Sequence, residues 1–113
     1  MRRKNFYFAW RNLEIYHRTE SQLEILASRF PSLKEARGVS PWNPNQLDIW
    51  ASEFGRDLNA FHTAKYLLAI WNAHNGWECG PFDAKAAIQI WDRAHRRAFL
   101  ESVAVEPTIV RAS

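Results

Sequence analysis

The sequence predicts an all-α fold, a single compact domain of four to five helices around a central buried helix at about residues 59–74. Three observations predict it. Apolar residues recur at three- and four-residue spacing in several stretches, and no stretch alternates with period two for long enough to suggest a sheet. Start and stop signals bracket these stretches. One of them, Asn59 to His74, is apolar nearly all round: Phe61, Ala64, Leu67, Leu68 and Trp71 share one face, and Tyr66, Ala69, Ile70 and Ala73 spread over the other. A surface helix carries one apolar stripe, so a helix without a polar face belongs inside the domain.

The elements follow in order. From Asn5 to His17, Phe6, Ala9, Trp10, Leu13 and Tyr16 form an amphipathic helical stripe. Thr19 and Gln22 have capping-box spacing, so a second helix starts near Glu20, runs through Leu23, Leu26, Ala27 and Phe30, and ends at Pro31. The alternative is one helix with a phase slip near Arg18. Ser32 and Glu35 have the same box spacing, but Gly38 follows closely and allows a single turn. Ser40-Pro41-Trp42-Asn43-Pro44 reads as a rigid loop, with Asn43 as cap, Pro44 at the first helical position and Gln46 at the third. The helix it opens buries Leu47, Trp50, Ala51 and Phe54 and stops at Gly55. Asp57 or Asn59 caps the central helix and Asn75-Gly76 closes it. Asp83 caps one last long helix to about Val103, with the stripe Ala84, Ala87, Ile88, Trp91, Ala94, His95, Ala98 and Phe99. Pro107 bars further helix, so residues 1–106 form the domain and 107–113 a disordered tail.

Leu47-x-Ile49-Trp50, Leu68-x-Ile70-Trp71 and Ile88-x-Ile90-Trp91 share a pattern about 20 residues apart. Array repeats use roughly 33–47 residues per unit, so the pattern reads as three core helices each bringing one Trp to a shared centre. Trp71 is expected to be nearly fully buried there. The 113 residues, with six Trp, seven Phe and three Tyr, suffice for a core without staples.

Composition bounds the function. The single cysteine, Cys79, cannot form an internal disulfide, which points to a reducing compartment. The basic start Met1-Arg2-Arg3-Lys4 precedes an apolar run, Phe6 to Trp10, that is too short for a secretory signal, and no stretch is long enough to span a membrane. A cytoplasmic protein is expected. The net charge of +3 is uneven: residues 1–40 carry eight Lys/Arg against four Asp/Glu, 41–83 two against five, and 84–113 five against three. That distribution permits a polyanionic partner without requiring one.

Neither metal nor catalysis finds a motif. The histidines His17, His62, His74 and His95 lack the close paired spacing of zinc ligands, so no metal or other cofactor is expected. Cys79 is the one nucleophile candidate, with His62 and His74 as conceivable bases, but Glu78 and Asp83 nearby would raise its pKa. The four glycines are scattered and build no phosphate cradle. The basic residues are the better lead. Lys85, Arg93, Arg96 and Arg97 lie on the outer face of the last helix, and with Arg2, Arg3, Lys4 and Arg11 they would make a phosphate-binding surface. Asp92 shares that face and Glu101 borders it, and no helix-turn-helix signal accompanies it.

From Tyr66 the chain reads Tyr-Leu-Leu-Ala-Ile-Trp-Asn-Ala to Ala73, and Gly80-Pro-Phe-Asp83 follows. Over these roughly 40 residues it resembles a family of short bacterial proteins of unknown function, often encoded on mobile elements. In that family a Leu-Leu-Ala-x-Trp-Asn-Ala helix leads to a Gly-Gly-Phe-Asp-like turn and another helix. Trp71, Asn72, Ala73, Phe82 and Asp83 match, whereas Cys79-Gly80-Pro81 departs from the double glycine. The resemblance implies a helical module and a genomic setting rather than an activity.

The reading is therefore a small non-enzymatic protein-binding module of mobile-element or phage origin, acting as an inhibitor of a host defence complex in the manner of anti-CRISPR proteins. The alternative is a nucleic-acid-binding accessory protein using the basic helix face. Trp42, Trp77 and Phe8 lie outside the helical stripes, and binding hot spots are rich in Trp and Arg. Trp42 and Trp77, with Arg93, Arg96 and Arg97, are the expected partner-binding residues. If both indoles fold back as lids over helix ends, the basic face becomes the better candidate.

Overall fold

Helix caps organise the chain. Thr19 Oγ1 accepts the Gln22 N–H at 3.1 Å while Gln22 Oε1 accepts the Thr19 N–H at 2.8 Å, the reciprocal box that starts α1 (Glu20–Ala27). Asn43 Oδ1 accepts the Gln46 N–H at 3.1 Å, with Pro44 opening α2 (Pro44–Ala51). Asp57 accepts the Ala60 N–H at 3.1 Å and starts α3 (Leu58–Asn72). Asp83 accepts the Ala86 N–H at 3.2 Å and starts α4 (Ala84–Ile90). The last helix is α5 (Arg93–Ala112). The structure, a computed structural model, describes residues 19–53 and 56–112, the final nine as backbone alone. The expected helix at 5–17, Phe8, the basic residues Arg2, Arg3, Lys4 and Arg11, and the stop at Phe54-Gly55 lie outside the described residues.

Among the described residues there are five α-helices and no strand, which is a single all-α domain. No helix among them is long and apolar enough to cross a membrane. The α3 helix is central: it packs against α1, α2, α4 and the 3₁₀ turn Pro31–Leu33. It reaches α5 through Tyr66, whose hydroxyl lies 2.6 Å from Ser102 Oγ and whose ring meets Phe99 at 5.0 Å. Phe30, Tyr66, Phe82, Trp91 and Phe99 form one mutually packed aromatic cluster, most pairs tilted or edge-on, as ring quadrupoles favour.

The loop from Gly38 to Asn43 lies flush against α2. Gly38 has φ +88°, and a Cβ there would come within 2.4 Å of the Leu47 nitrogen, so only glycine fits. The Asn43 N–H donates to the Gly38 carbonyl at 2.7 Å, and the Ser40–Pro41 peptide bond is cis.

Several expectations need correction. The last long helix is two helices. Trp91 takes extended backbone angles (φ −58°, ψ 142°), and Asp92 caps α5 by accepting the His95 N–H at 3.0 Å. The break turns Trp91 inward, where it is 1% exposed, and releases Ile88 and Ala94 from the expected stripe to the surface. Backbone helix continues to Ala112, beyond the expected end near Val103 and through Pro107.

The centre of the domain belongs to Trp91 rather than Trp71. Burial along α3 runs from Ala60 to Leu68, and its last turn opens outward, leaving Trp71 half-buried. The α3 helix also closes at Asn72, two residues before His74. The turn at Ser32 is 3₁₀ and forms no capping box, because the Ser32 hydroxyl is drawn to His95.

The Asn72 side chain accepts the His74 N–H at 3.1 Å, one residue before the 75–82 connection between α3 and α4. Its carbonyl does hold that connection, accepting the Trp77 indole N–H at 2.9 Å. Asp83 caps as expected. Asp83→Ala should lower unfolding free energy by about 0.5–2 kcal/mol in urea denaturation, and an unchanged midpoint would move Asp83 from helix capping to another role.

Candidate binding groove

Two segments distant in sequence, the turn after α1 and helix α5, frame the groove. After Ala27 the chain leaves α1, and Phe30, fully buried among the aromatic cluster, fixes the segment against the core. Arg29, just before it, is left on the surface. On α5 the i, i+4 spacing aligns Arg93, Arg97 and Glu101 in one row and Ala94 and Ala98 in the next. These residues line an open groove of about 710 Å³ with Arg29. That volume falls within the roughly 300–1,000 Å³ of ordinary ligand clefts, but its lining is charged rather than apolar. Among the described residues, the Arg29, Arg93 and Arg97 side chains have no ion pair or hydrogen bond.

The expected site residues therefore separate. Arg93 and Arg97 come together. Arg96 folds back to donate to the Trp91 carbonyl at 2.6 Å and so braces the break between α4 and α5. Lys85 sits on α4 and no longer shares the α5 face. Trp42 is 6% exposed, its ring 5.7 Å from that of Trp71, and its backbone N–H donates to Glu24 Oε2 at 2.8 Å. It is a lid over the open end of α3 and presents no docking surface. Trp77 is half-buried and bonded to the α3 terminus. Arg29 is the lining residue that sequence reading missed, because nothing local links the end of α1 to α5.

A second constellation also escaped the sequence. Ser32 Oγ lies 2.7 Å from His95 Nε2, and His95 Nδ1 lies 2.7 Å from Asp92 Oδ1. These are the residue types and the order of contact of a serine-hydrolase triad, but the surroundings differ from one. His95 Nε2 also accepts the Ser32 backbone N–H at 3.3 Å, which takes up one donor an oxyanion would need. The next N–H groups, of Leu33 and Lys34, donate to the Phe30 and Pro31 carbonyls at 3.1 and 3.4 Å. An oxyanion hole requires such donors free and aimed at the developing charge. The aspartate is the open end of the chain, its side chain 56% exposed, while His95 is 2% exposed. Asp92 Oδ1 accepts both the backbone N–H and the ring N–H of His95, which holds its carboxyl below the usual range. The arrangement is a clasp that ties the 3₁₀ turn to the start of α5.

Cys79 is buried and its thiol is pushed up to about 12, first by burial and then by Asp48 beside it, which disfavours a thiolate at neutral pH. His62 is buried with Nδ1 unpartnered among the described residues, and burial together with nearby Lys65 lowers its pKa. No three His, Cys, Asp or Glu side chains gather as a metal site among the described residues.

Comparison with family models, with curated proteins and with solved structures found no match.

Proposed function

We propose that the protein is a non-enzymatic binding module whose partner, another protein, docks in the groove of Arg29, Arg93 and Arg97. The carrying observation is three arginines that line one groove and, among the described residues, have no ion pair or hydrogen bond. Arginine is enriched at binding hot spots because its planar fork makes paired bonds to carboxylates. Protein is favoured over nucleic acid by two features. Glu101 lines the same groove and would repel phosphates, and Leu100 and Ile25 stand 58% and 57% exposed one turn from Arg97 and Arg29. Exposed aliphatic groups beside arginine suit a protein interface. The resemblance at Trp71-Asn72-Ala73 and Phe82-Asp83 gives this module a mobile-element setting, in which blocking a host defence complex is a concrete role.

The test compares wild type with Arg29→Glu/Arg93→Glu/Arg97→Glu as baits in host lysate. All three side chains are exposed, so the variant should melt within a few degrees of wild type. Reversing three charges at one interface should weaken capture about 100-fold or more. A partner retained equally by both proteins would remove the groove from the interface. Gel-shift with wild type at low salt should show no complex at micromolar protein; a shift that falls steeply with added salt would favour nucleic acid instead. Labelling of Ser32 by a fluorophosphonate would overturn the non-enzymatic reading.

A further inference from the structure

We infer that the occupant of the groove is an acidic amphipathic α-helix of the partner, with carboxylates three to four residues apart on one face. The inference rests on the groove being the docking site and adds what fills it.

Spacing and shape carry the argument together. Arg93 and Arg97 stand one turn apart on α5, about 6 Å along its axis at 1.5 Å per residue. Asp or Glu side chains at i and i+4 of a second helix repeat that interval, so each meets one guanidinium. Ala94, exposed beside the arginine row, lacks bulk, which lets a second helix approach near the close end of the 8–10 Å packing range. Arg29, in the turn that follows α1, lines the same groove and takes a third carboxylate. Glu101, one turn beyond Arg97, calls for a Lys or Arg on the next turn of the incoming helix. The exposed Leu100 gives its apolar residues a place to rest.

Charge and backbone exclude other occupants. An extended peptide gains main-chain bonds by adding to a sheet edge, and the described residues contain no strand. A phosphate chain would meet Glu101.

The experiment uses the full-length protein and a fluorescent helical peptide of about 18 residues, long enough to hold helix in water. The probe carries three Glu at successive i, i+4 positions, a Lys one turn later and Leu on the adjacent row. Anisotropy should report saturable micromolar binding to wild type, about tenfold or more weaker for R93E/R97E. Replacing the peptide Glu by Lys should restore binding to R93E/R97E and abolish it for wild type. A Glu-to-Gln peptide that binds wild type equally well overturns the inference, as does tighter binding of a single-stranded oligonucleotide. Failure of the peptide while the triple variant still loses its partner in lysate leaves the groove as the docking site and sinks the helical occupant alone.

Discussion

Trp91→Ala is expected to destabilise the protein by about 3–5 kcal/mol, the range for removing a buried aromatic ring. Trp91 is 1% exposed and touches Phe30, Tyr66, Phe82 and Phe99 at centroid distances of 5.2 to 6.4 Å. Its indole N–H also donates to Thr63 Oγ1 at 3.0 Å and to the Asn59 carbonyl at 3.2 Å, at the start of α3. Truncation thus opens a cavity and leaves two acceptors short of a donor. Domains of this size are stable by roughly 5–15 kcal/mol, so the variant should be partly unfolded at 37 °C. Trp91→Phe keeps ring volume but not the N–H, and should cost less than half as much. Trp71→Ala, at a half-buried site, should cost less than Trp91→Ala. Denaturant melts of the three variants give the order, and an equal or larger loss at Trp71 would refute the assignment of the centre to Trp91.

Asp48→Ala should be the next most damaging change. Asp48 is buried on α2, and its two carboxylate oxygens accept the N–H groups of Glu78 at 2.8 Å and Cys79 at 2.9 Å. It pins the connection between α3 and α4 onto α2. Bonds to a charged acceptor contribute about 1.5–3 kcal/mol each, and leaving buried donors unpaired costs about as much. Allowing for partial access of water to Glu78, the expected loss is about 2–4 kcal/mol. Asp48→Asn retains one acceptor oxygen and should fall between alanine and wild type. Hydrogen exchange should show the amides of Glu78 and Cys79 losing protection before the rest of the domain does. Uniform loss across all helices, with no local effect, would contradict the pinning role.

What the sequence determined by itself was set by interactions spanning a few residues. Thr19 with Gln22, Asn43 with Pro44, Asp57 or Asn59, and Asp83 marked four helix starts, because a cap bonds only to N–H groups two or three positions ahead; of the pair, Asp57 is the cap. The absence of period-two stretches excluded a sheet for the same local reason. The nearly apolar circumference of Asn59 to His74 identified the central helix, since burial on several sides leaves little polar face to conserve solvation.

Tertiary structure decided what required partners far along the chain. The break at Trp91-Asp92 was invisible to periodicity, because the stripe Ala87, Trp91, His95, Ala98 keeps helical phase through it. The break follows from Trp91 bonding to Asn59 and Thr63 and from Asp92 capping at His95. Trp42 reads as a loop aromatic in need of a partner, and the fold supplies one in Trp71. Ser32 and His95 are 63 residues apart, so no spacing rule could join them. Arg93 and Arg97 were legible as one face, but Arg29 joins them only because Phe30 anchors the end of α1 in the core, and Arg96 leaves them only because the Trp91 carbonyl is free to accept it. Periodicity records which side of a helix is apolar; which surface that side meets, and which charges are left without partners, is decided when the helices pack.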